Sequence, residues 1–190
     1  MRTDDNRPSR EELARQIADL SVLTGTFTLR SGRTSNYYLD KYRFSTRPEV
    51  LGPVAAMFAD RLSDLGPLPD RLAGAELGGI PLVSATGLAT GLPSVFIRNA
   101  KKDYGTAKQL EGALEPGDRV VFLEDVATTG GQALEAVNEL RDAGTTVEAV
   151  IAVIDRLEGA RENVEAAGLR FEALFTARDL GVGEDDAQSS

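Results

Sequence analysis

Two spacings alternate along this chain. From residue 46 onward, short apolar runs of strand length give way to stretches in which apolar side chains return every three or four positions. Arg119-Val120-Val121-Phe122-Leu123 reads as a fully buried parallel strand, and Ala133, Leu134, Val137 and Leu140 then fall on one helix face that ends at Gly144. Thr146 to Ile154 is a second buried strand, Ser94 to Ile97 and Arg71 to Ala75 are shorter ones, and Arg170 to Phe175 alternates as a last strand. Thr46 and Glu49 bracket a capping box with Pro48 in the first turn, opening a helix through Leu51, Val54, Ala55, Phe58 and Leu62 that closes at Gly66-Pro67. The first forty-five positions differ. Ser9 with Glu12 caps a helix whose apolar face is Leu13, Ile17, Leu20 and Leu23 and which ends at Thr24-Gly25; residues 26–40 then read as two strands around a Ser31-Gly32 turn. Alternating strands and helices predict an α/β chain: a doubly wound parallel sheet carrying an N-terminal helix-and-hairpin hood. One domain is expected over 1–190, with the hood at about 9–45, the core at about 46–178 and an acidic tail at 181–190.

Composition narrows the chemistry. The chain has neither histidine nor cysteine, so imidazole proton transfer, His-based metal sites, disulfides and thiolate chemistry are all excluded. Any catalysis must use carboxylates, Lys, Tyr, Arg or a hard cation held by oxygens. A net charge of −9 argues against nucleic acid as a partner. No run of eighteen apolar residues spans a membrane and no apolar segment near the start marks secretion, so a cytoplasmic protein is expected. Only four of the twenty-one cations are lysines. An acidic, lysine-poor surface suits a high-salt cytoplasm, although a GC-rich genome gives the same arginine bias. The cations also cluster: Arg30, Arg33, Lys41, Arg43 and Arg47 face one acid in their stretch, as do Arg98, Lys101, Lys102 and Lys108 in theirs. Positive charge concentrated on an acidic chain points to a small polyanionic ligand.

The most informative string joins the buried strand to its helix: Glu124-Asp125-Val126-Ala127-Thr128-Thr129-Gly130-Gly131-Gln132. A Gly-rich turn at a helix N-terminus offers free N–H groups and the positive dipole end to a phosphate, and threonine hydroxyls add donors. Two adjacent carboxylates before the turn can accept from neighbouring sugar hydroxyls, so a phosphorylated ribose fits both halves. The bland alternative is an ordinary strand-to-helix turn with acidic capping. The spacing is neither that of a P-loop nor G-x-G-x-x-G. Glu76-Leu77-Gly78-Gly79-Ile80-Pro81 is either a simple strand–helix turn or a second set of backbone donors for an anion. The Tyr37-Tyr38 pair fits cross-strand packing and a platform for a flat ring equally well. The polar loop from Arg98 to Gly112 is long enough to be functional. Arg156 could form a bidentate fork to a carboxylate, or pair with Asp155 or Glu158.

The central string resembles the phosphoribosyl-pyrophosphate (PRPP) motif of type I phosphoribosyltransferases, with Glu124 where Asp is common. Three further segments are similar to orotate phosphoribosyltransferases in family order: Phe27 to Tyr38, the loop Arg98-Asn99-Ala100-Lys101-Lys102-Asp103-Tyr104-Gly105, and Asp155-Arg156-Leu157-Glu158-Gly159-Ala160. The resemblance covers residues 26 to about 160 and implies the type I phosphoribosyltransferase fold. It implies that Arg30, Arg98, Lys101, Lys102, Tyr104 and the 124–132 string bind PRPP. Glu76, Leu77, Gly78 and Gly79 would hold pyrophosphate, while Tyr38, Thr128 and Arg156 would meet orotate. Lys102, Asp125 and Arg98 are the expected catalytic residues. It further implies Mg²⁺ held mainly through PRPP, with Asp125 the candidate protein contact, and a homodimer with shared sites. Departures stand at Leu77-Gly78, where many bacterial members carry Tyr-Lys, at Asn99, where Lys is common, at Tyr104, where His is frequent, and at Leu39, where some members carry a second aromatic. The expected reaction is orotate plus PRPP to orotidine 5′-monophosphate and pyrophosphate, the orotate step of pyrimidine (UMP) synthesis. A phosphoribosyltransferase for another base and a non-catalytic PRPP sensor are the alternatives. Arg30 to Tyr38 and Arg156 argue against the first, and the nearly complete cationic loop against the second.

Overall fold

The computed structural model describes residues 7–28, 32, 34–99 and 109–183. Helix α1 (Arg10–Ser21) carries the expected capping box: Glu12 N–H donates to Ser9 Oγ at 3.2 Å, and Ser9 N–H donates to Glu12 Oε2 at 2.8 Å. The helix stops three residues earlier than its spacing suggests. Strand β1 (Val22–Thr28) begins at once and pairs antiparallel with β2 (Thr34–Leu39), Leu23 lying opposite Tyr38. β-branched Val22 and Thr24 favour this ladder over another helical turn.

A four-residue helix, α2 (Tyr42–Ser45), precedes α3 (Pro48–Asp64). The capping box expected from Thr46 and Glu49 does not form. Thr46 Oγ1 donates back to Tyr42 O at 2.6 Å and so closes α2, while Glu49 pairs with Arg47. Arg47 is the N-cap without a side-chain bond, and Pro48 at the first position needs no N–H partner.

The remaining strands are β3 (Arg71–Ala75), β4 (Ser94–Ile97), β5 (Leu110–Glu111), β6 (Arg119–Ala127), β7 (Thr146–Asp155) and β8 (Arg170–Thr176). They form one sheet in the order β5-β4-β3-β6-β7-β8, parallel except for the short β4–β5 pair. Helices α4 (Gly79–Thr90), α5 (Gly131–Asp142) and α6 (Ala160–Ala166) cover it, the last not anticipated from the apolar pattern. Val121 and Leu123 of β6 pack with α1, α3 and α4 on one face; Val120 and Phe122 pack with α5 and α6 on the other. The chain enters the sheet at β3, adds β4 on one side and β6 on the other. The topological switch point is therefore between β3 and β6, where a crevice opens beyond the strand ends. Val182 near the C-terminus packs on the core and donates its N–H to Ala177 O at 3.1 Å; residues 184–190 of the expected acidic tail lie outside the described residues. Among the described residues no helix is long and apolar enough to cross a membrane.

Candidate active site

The two carboxylates sit at the end of β6, still within the strand. Asp125 is 1% exposed, and Glu124 is half-buried beside it. Asp125 Oδ1 accepts the Val126 N–H at 2.6 Å, and Glu124 Oε1 accepts the Asp125 N–H at 3.2 Å. From the hood, Lys41 Nζ donates to Asp125 Oδ1 at 3.1 Å and lies 2.8 Å from Oδ2. Burial alone would lower the Lys41 pKa, but the charges of Asp125 and Glu124 outweigh it and the ammonium ends above its ordinary value. Burial, followed by the adjacent Asp125 charge, pushes the Glu124 carboxyl up to about 8. In the free protein near neutral pH, Glu124 is therefore largely protonated.

Glu124 borders two hollows. The smaller, of about 60 Å³, is lined by Val126, Ala127, Thr128, Thr129, Gly130, Gly131 and Gln132. Gly130 adopts φ +78°, a left-handed conformation, and a Cβ there would come within 3.1 Å of Val164. The turn is braced from outside. Asn163 Nδ2 donates to Thr129 O at 2.9 Å, and the Arg156 N–H donates to Ala127 O at 2.9 Å. Thus α6 ties the phosphate turn to the segment that carries Arg156. Among the described residues no cationic side chain lines this hollow, so the donors it offers an anion are the first N–H groups of α5 and hydroxyls.

The larger cavity, about 600 Å³, lies at the switch point. Its walls include Lys41 and Tyr42, Glu76 to Gly78, Arg98 and Asn99, Gln109, Glu124 and Asp125, and Gln132, Glu135 and Glu139 of α5. The Glu76–Leu77 peptide bond is cis, Leu77 is exposed, and Gly78 and Gly79 are buried. A Cβ on Gly78 would sit 1.5 Å from Asp125 Oδ2, so the carboxylate occupies space that any side chain here would claim. That is the physical reason for glycine at this departure from the family pattern. Asn99, the other departure, donates twice to Glu76: its N–H to Oε1 at 2.8 Å and its Nδ2 to the backbone O at 3.1 Å. Arg98 is held between Glu76 at 3.9 Å and Glu111 at 3.8 Å, its N–H donating to Gln109 O. Oxygen donors suited to a hard cation gather in this cavity, yet no three carboxylates among the described residues are placed to hold a metal ion by themselves.

Arg30, Lys101, Lys102 and Tyr104 lie outside the described residues. Arg156 and Tyr38 line neither hollow. Arg156 is 12% exposed in its side chain, pairs with Glu158 at 2.9 Å and donates through Nη2 to the Tyr37 hydroxyl at 3.2 Å, its guanidinium 5.1 Å from that ring. The alternation of β2 splits the tyrosine pair: Tyr37 points inward to Arg156, and Tyr38, 47% exposed, leans on Phe27 with ring centroids 5.7 Å apart. The sequence named Tyr37 only as half of a tyrosine pair and Lys41 only as one of a cation cluster, and did not single out Glu135, Glu139 or Asn163. The spacing of Gln132, Glu135 and Glu139 does put all three on one helix face, a signal that was legible. Lys41 was one of five clustered cations, with nothing local to mark it.

No protein-family model matches the sequence. The orotate phosphoribosyltransferase of Natronomonas pharaonis is 48% identical over 171 residues, covering 90% of this chain and 96% of that protein. That of Pyrococcus abyssi is 41% identical over 181 residues, covering 93% and 100%. The crystal structure of the Mycobacterium tuberculosis orotate phosphoribosyltransferase in complex with PRPP superposes with a TM-score of 0.79 at 33% identity, covering 92% of this chain and 100% of that one. The sheet order, the hood and the strand-end carboxylates thus belong to a type I phosphoribosyltransferase fold, and the chain is a member of the orotate phosphoribosyltransferase family.

Proposed function

We propose that this protein transfers ribose 5-phosphate from PRPP to orotate, giving orotidine 5′-monophosphate and pyrophosphate in pyrimidine synthesis. One observation carries the reading: the Glu124–Asp125 pair separates a small hollow built from backbone donors from a larger cavity at the switch point. PRPP has the same order of parts, a 5-phosphate at one end, a diol in the middle and a pyrophosphate at the other.

In this reading the 5-phosphate takes the Thr128–Gly131 turn, and the ribose hydroxyls donate to Asp125 and exchange bonds with Glu124. The pyrophosphate lies between the Glu76–Gly79 segment and Arg98; Lys101, Lys102, Tyr104 and Arg30, which lie outside the described residues, are assigned to the same ligand. Positive charge develops on the ribose C1 as pyrophosphate leaves, and the orotate ring nitrogen attacks there. Cations at the leaving group stabilise the charge it gains, and fixing both substrates supplies much of the rate. Mg²⁺, when bound, would supply further charge neutralisation; PRPP oxygens would hold it, with Asp125 the candidate protein carboxylate. Arg156, already turned inward by Tyr37, takes the orotate carboxylate through its remaining N–H groups, with Thr128 and Tyr38 completing the base site. The enzyme works in the cytoplasm as a homodimer whose subunits share active sites.

Turnover of orotate, uracil, hypoxanthine, xanthine and adenine with PRPP and Mg²⁺ tests this. Orotate alone should react at a substantial rate. Preference for a purine would overturn the assignment of the base.

A further inference from the structure

The acid-lined cavity poses a charge problem. Glu76, Glu124, Asp125, Glu135 and Glu139 border it, against two described cations, Lys41 and Arg98. Arg98 is already flanked by Glu76 and Glu111. A polyanion entering here needs a cation free to turn toward it. Lys41 is built for that. Its backbone is fixed at the N-cap of α2, yet its ammonium crosses the cavity to straddle both oxygens of Asp125, at 3.1 and 2.8 Å. Asp125 is 1% exposed, whereas the Lys41 side chain is 34% exposed, so the ammonium approaches the buried carboxylate from the open side. A buried carboxylate stripped of its partner is strongly unfavourable, which explains why the ammonium rests there when nothing else does.

We propose that Lys41 is a PRPP-binding residue that occupies the ribose position of Asp125 in the free protein and turns to the pyrophosphate when the sugar arrives. The inference rests on the reading of the two hollows given above. The ribose hydroxyls donate to Asp125 and replace the bonds that Lys41 made. The released ammonium keeps its anchor at α2 and swings about a flexible four-carbon stem. The nearest new negative charge is the leaving group of the same ligand. Tyr42, on the cavity wall with its ring 5.7 Å from Nζ, borders that swing. Gly78 leaves the opposite wall without a side chain, so the cation comes from the hood. No bond is made or broken in this exchange; it trades one ion pair for another and couples hood to core on both sides of the step.

A purely structural role for Lys41, stapling the hood to β6 through Asp125, makes a different forecast. Binding should be measured by calorimetry with PRPP–Mg²⁺ and, separately, with ribose 5-phosphate, which shares the phosphate and diol but lacks the pyrophosphate. For Lys41→Met, which keeps the apolar stem, PRPP affinity should fall about tenfold or more, the scale of one charge-assisted contact. Ribose 5-phosphate affinity should not fall, because its hydroxyls no longer have to displace the ammonium, and Lys41→Arg should restore most PRPP binding. In turnover, the same loss should appear in the KM for PRPP with the KM for orotate unmoved. Equal losses for both ligands would show a staple only, and unchanged PRPP affinity would show no contact; either overturns the proposal. Because the primary readout is binding, a protein that failed to use orotate would still display the Lys41 signature. The two readings therefore fail separately.

Discussion

The turn over the small hollow and the walls of the large cavity meet at Glu124, yet in the proposed reading they would recognise anions on opposite plans. The turn uses backbone: glycine, two threonines and a helix N-terminus, fixed by α6 through Asn163 and with no cationic side chain among the described lining residues. The cavity uses side chains, mostly acidic, gathered from the hood, β3, β4, β6 and α5. A backbone site is preorganised and holds its ligand without rearrangement. A side-chain site is already internally paired, through Lys41–Asp125, Asn99–Glu76 and Arg98–Glu111, and must exchange those partners to bind. The difference matches a reaction in which one phosphate stays and the other leaves.

The sharpest way to break this contrast is at Asp125, which the exchange needs and the turn does not. Asp125→Asn should lower kcat/KM for PRPP by about one to two orders of magnitude, the range for hydrogen bonds to a charged group, and Gly78→Ala should act in the same direction because its Cβ displaces the same carboxylate. Steady-state kinetics at subsaturating PRPP, with circular dichroism to verify the fold, checks both. Unchanged kinetics in Asp125→Asn would sink the assignment of the motif.

Arg156 should separate the two substrates. Removing the guanidinium should raise the KM for orotate by roughly tenfold or more, a lost fork to a carboxylate amounting to about 1.5–3 kcal/mol, and leave that for PRPP nearly unchanged. The Tyr37→Phe change, which removes the 3.2 Å bond orienting Arg156, should act on the same constant to a smaller degree. Equal effects on both substrates would make Arg156 structural.

These sites were unequally legible in the sequence. The phosphate turn is one contiguous string, so its chemistry can be read without knowing the fold; the strand and helix around it follow from their periods. The cavity wall cannot be read that way. Lys41 and Asp125 are eighty-four positions apart and meet only because β2 delivers α2 over the end of β6. The capping box at Thr46 and Glu49 failed for a related reason: the pattern was present, but a short helix upstream claimed the threonine hydroxyl. Tyr37 and Tyr38 looked alike until the alternation of β2 sent one inward and one outward. The α6 segment shows no long apolar period and is set by Ala160 and Val164 packing on β8 and α5.

The cavity's acidity also leaves a mark on stability. With its carboxyl held up at about 8, folded Glu124 keeps a proton that the unfolded chain releases near 4.5. Between those values the folded state binds more protons, so stability declines as pH rises through that window. Glu124→Gln removes the titration. In magnesium-free buffer its melting temperature relative to the unaltered protein should therefore climb between pH 5 and pH 8, by a few degrees, since about 1 kcal/mol shifts a chain of this size by roughly 2–4 °C. A constant offset across that range would mean that Glu124 is not held protonated.

The smallest effect expected is that of salt, and it turns on two opposed screening terms. Exposed pairs such as Arg47–Glu49 at 3.4 Å and Arg161–Glu165 at 3.1 Å are attractive and weaken in salt, but solvent screening leaves each of them little weight. Against them stands the repulsion of a chain with net charge −9, to which Glu76, Asp125, Glu135 and Glu139 on the cavity walls contribute. Molar KCl shortens the screening length to about 3 Å, which removes most of that repulsion while leaving the buried Lys41–Asp125 pair at 2.8 Å largely intact. Repulsion between many like charges outweighs a few weak pairs, so the melting temperature should rise by several degrees between dilute buffer and molar KCl. Potassium glutamate at the same molarity should do likewise, since screening depends on ionic strength and not on chloride. A melting temperature that is flat or falls would show that the surface pairs dominate, and the acidic composition would then need an explanation other than life at high salt.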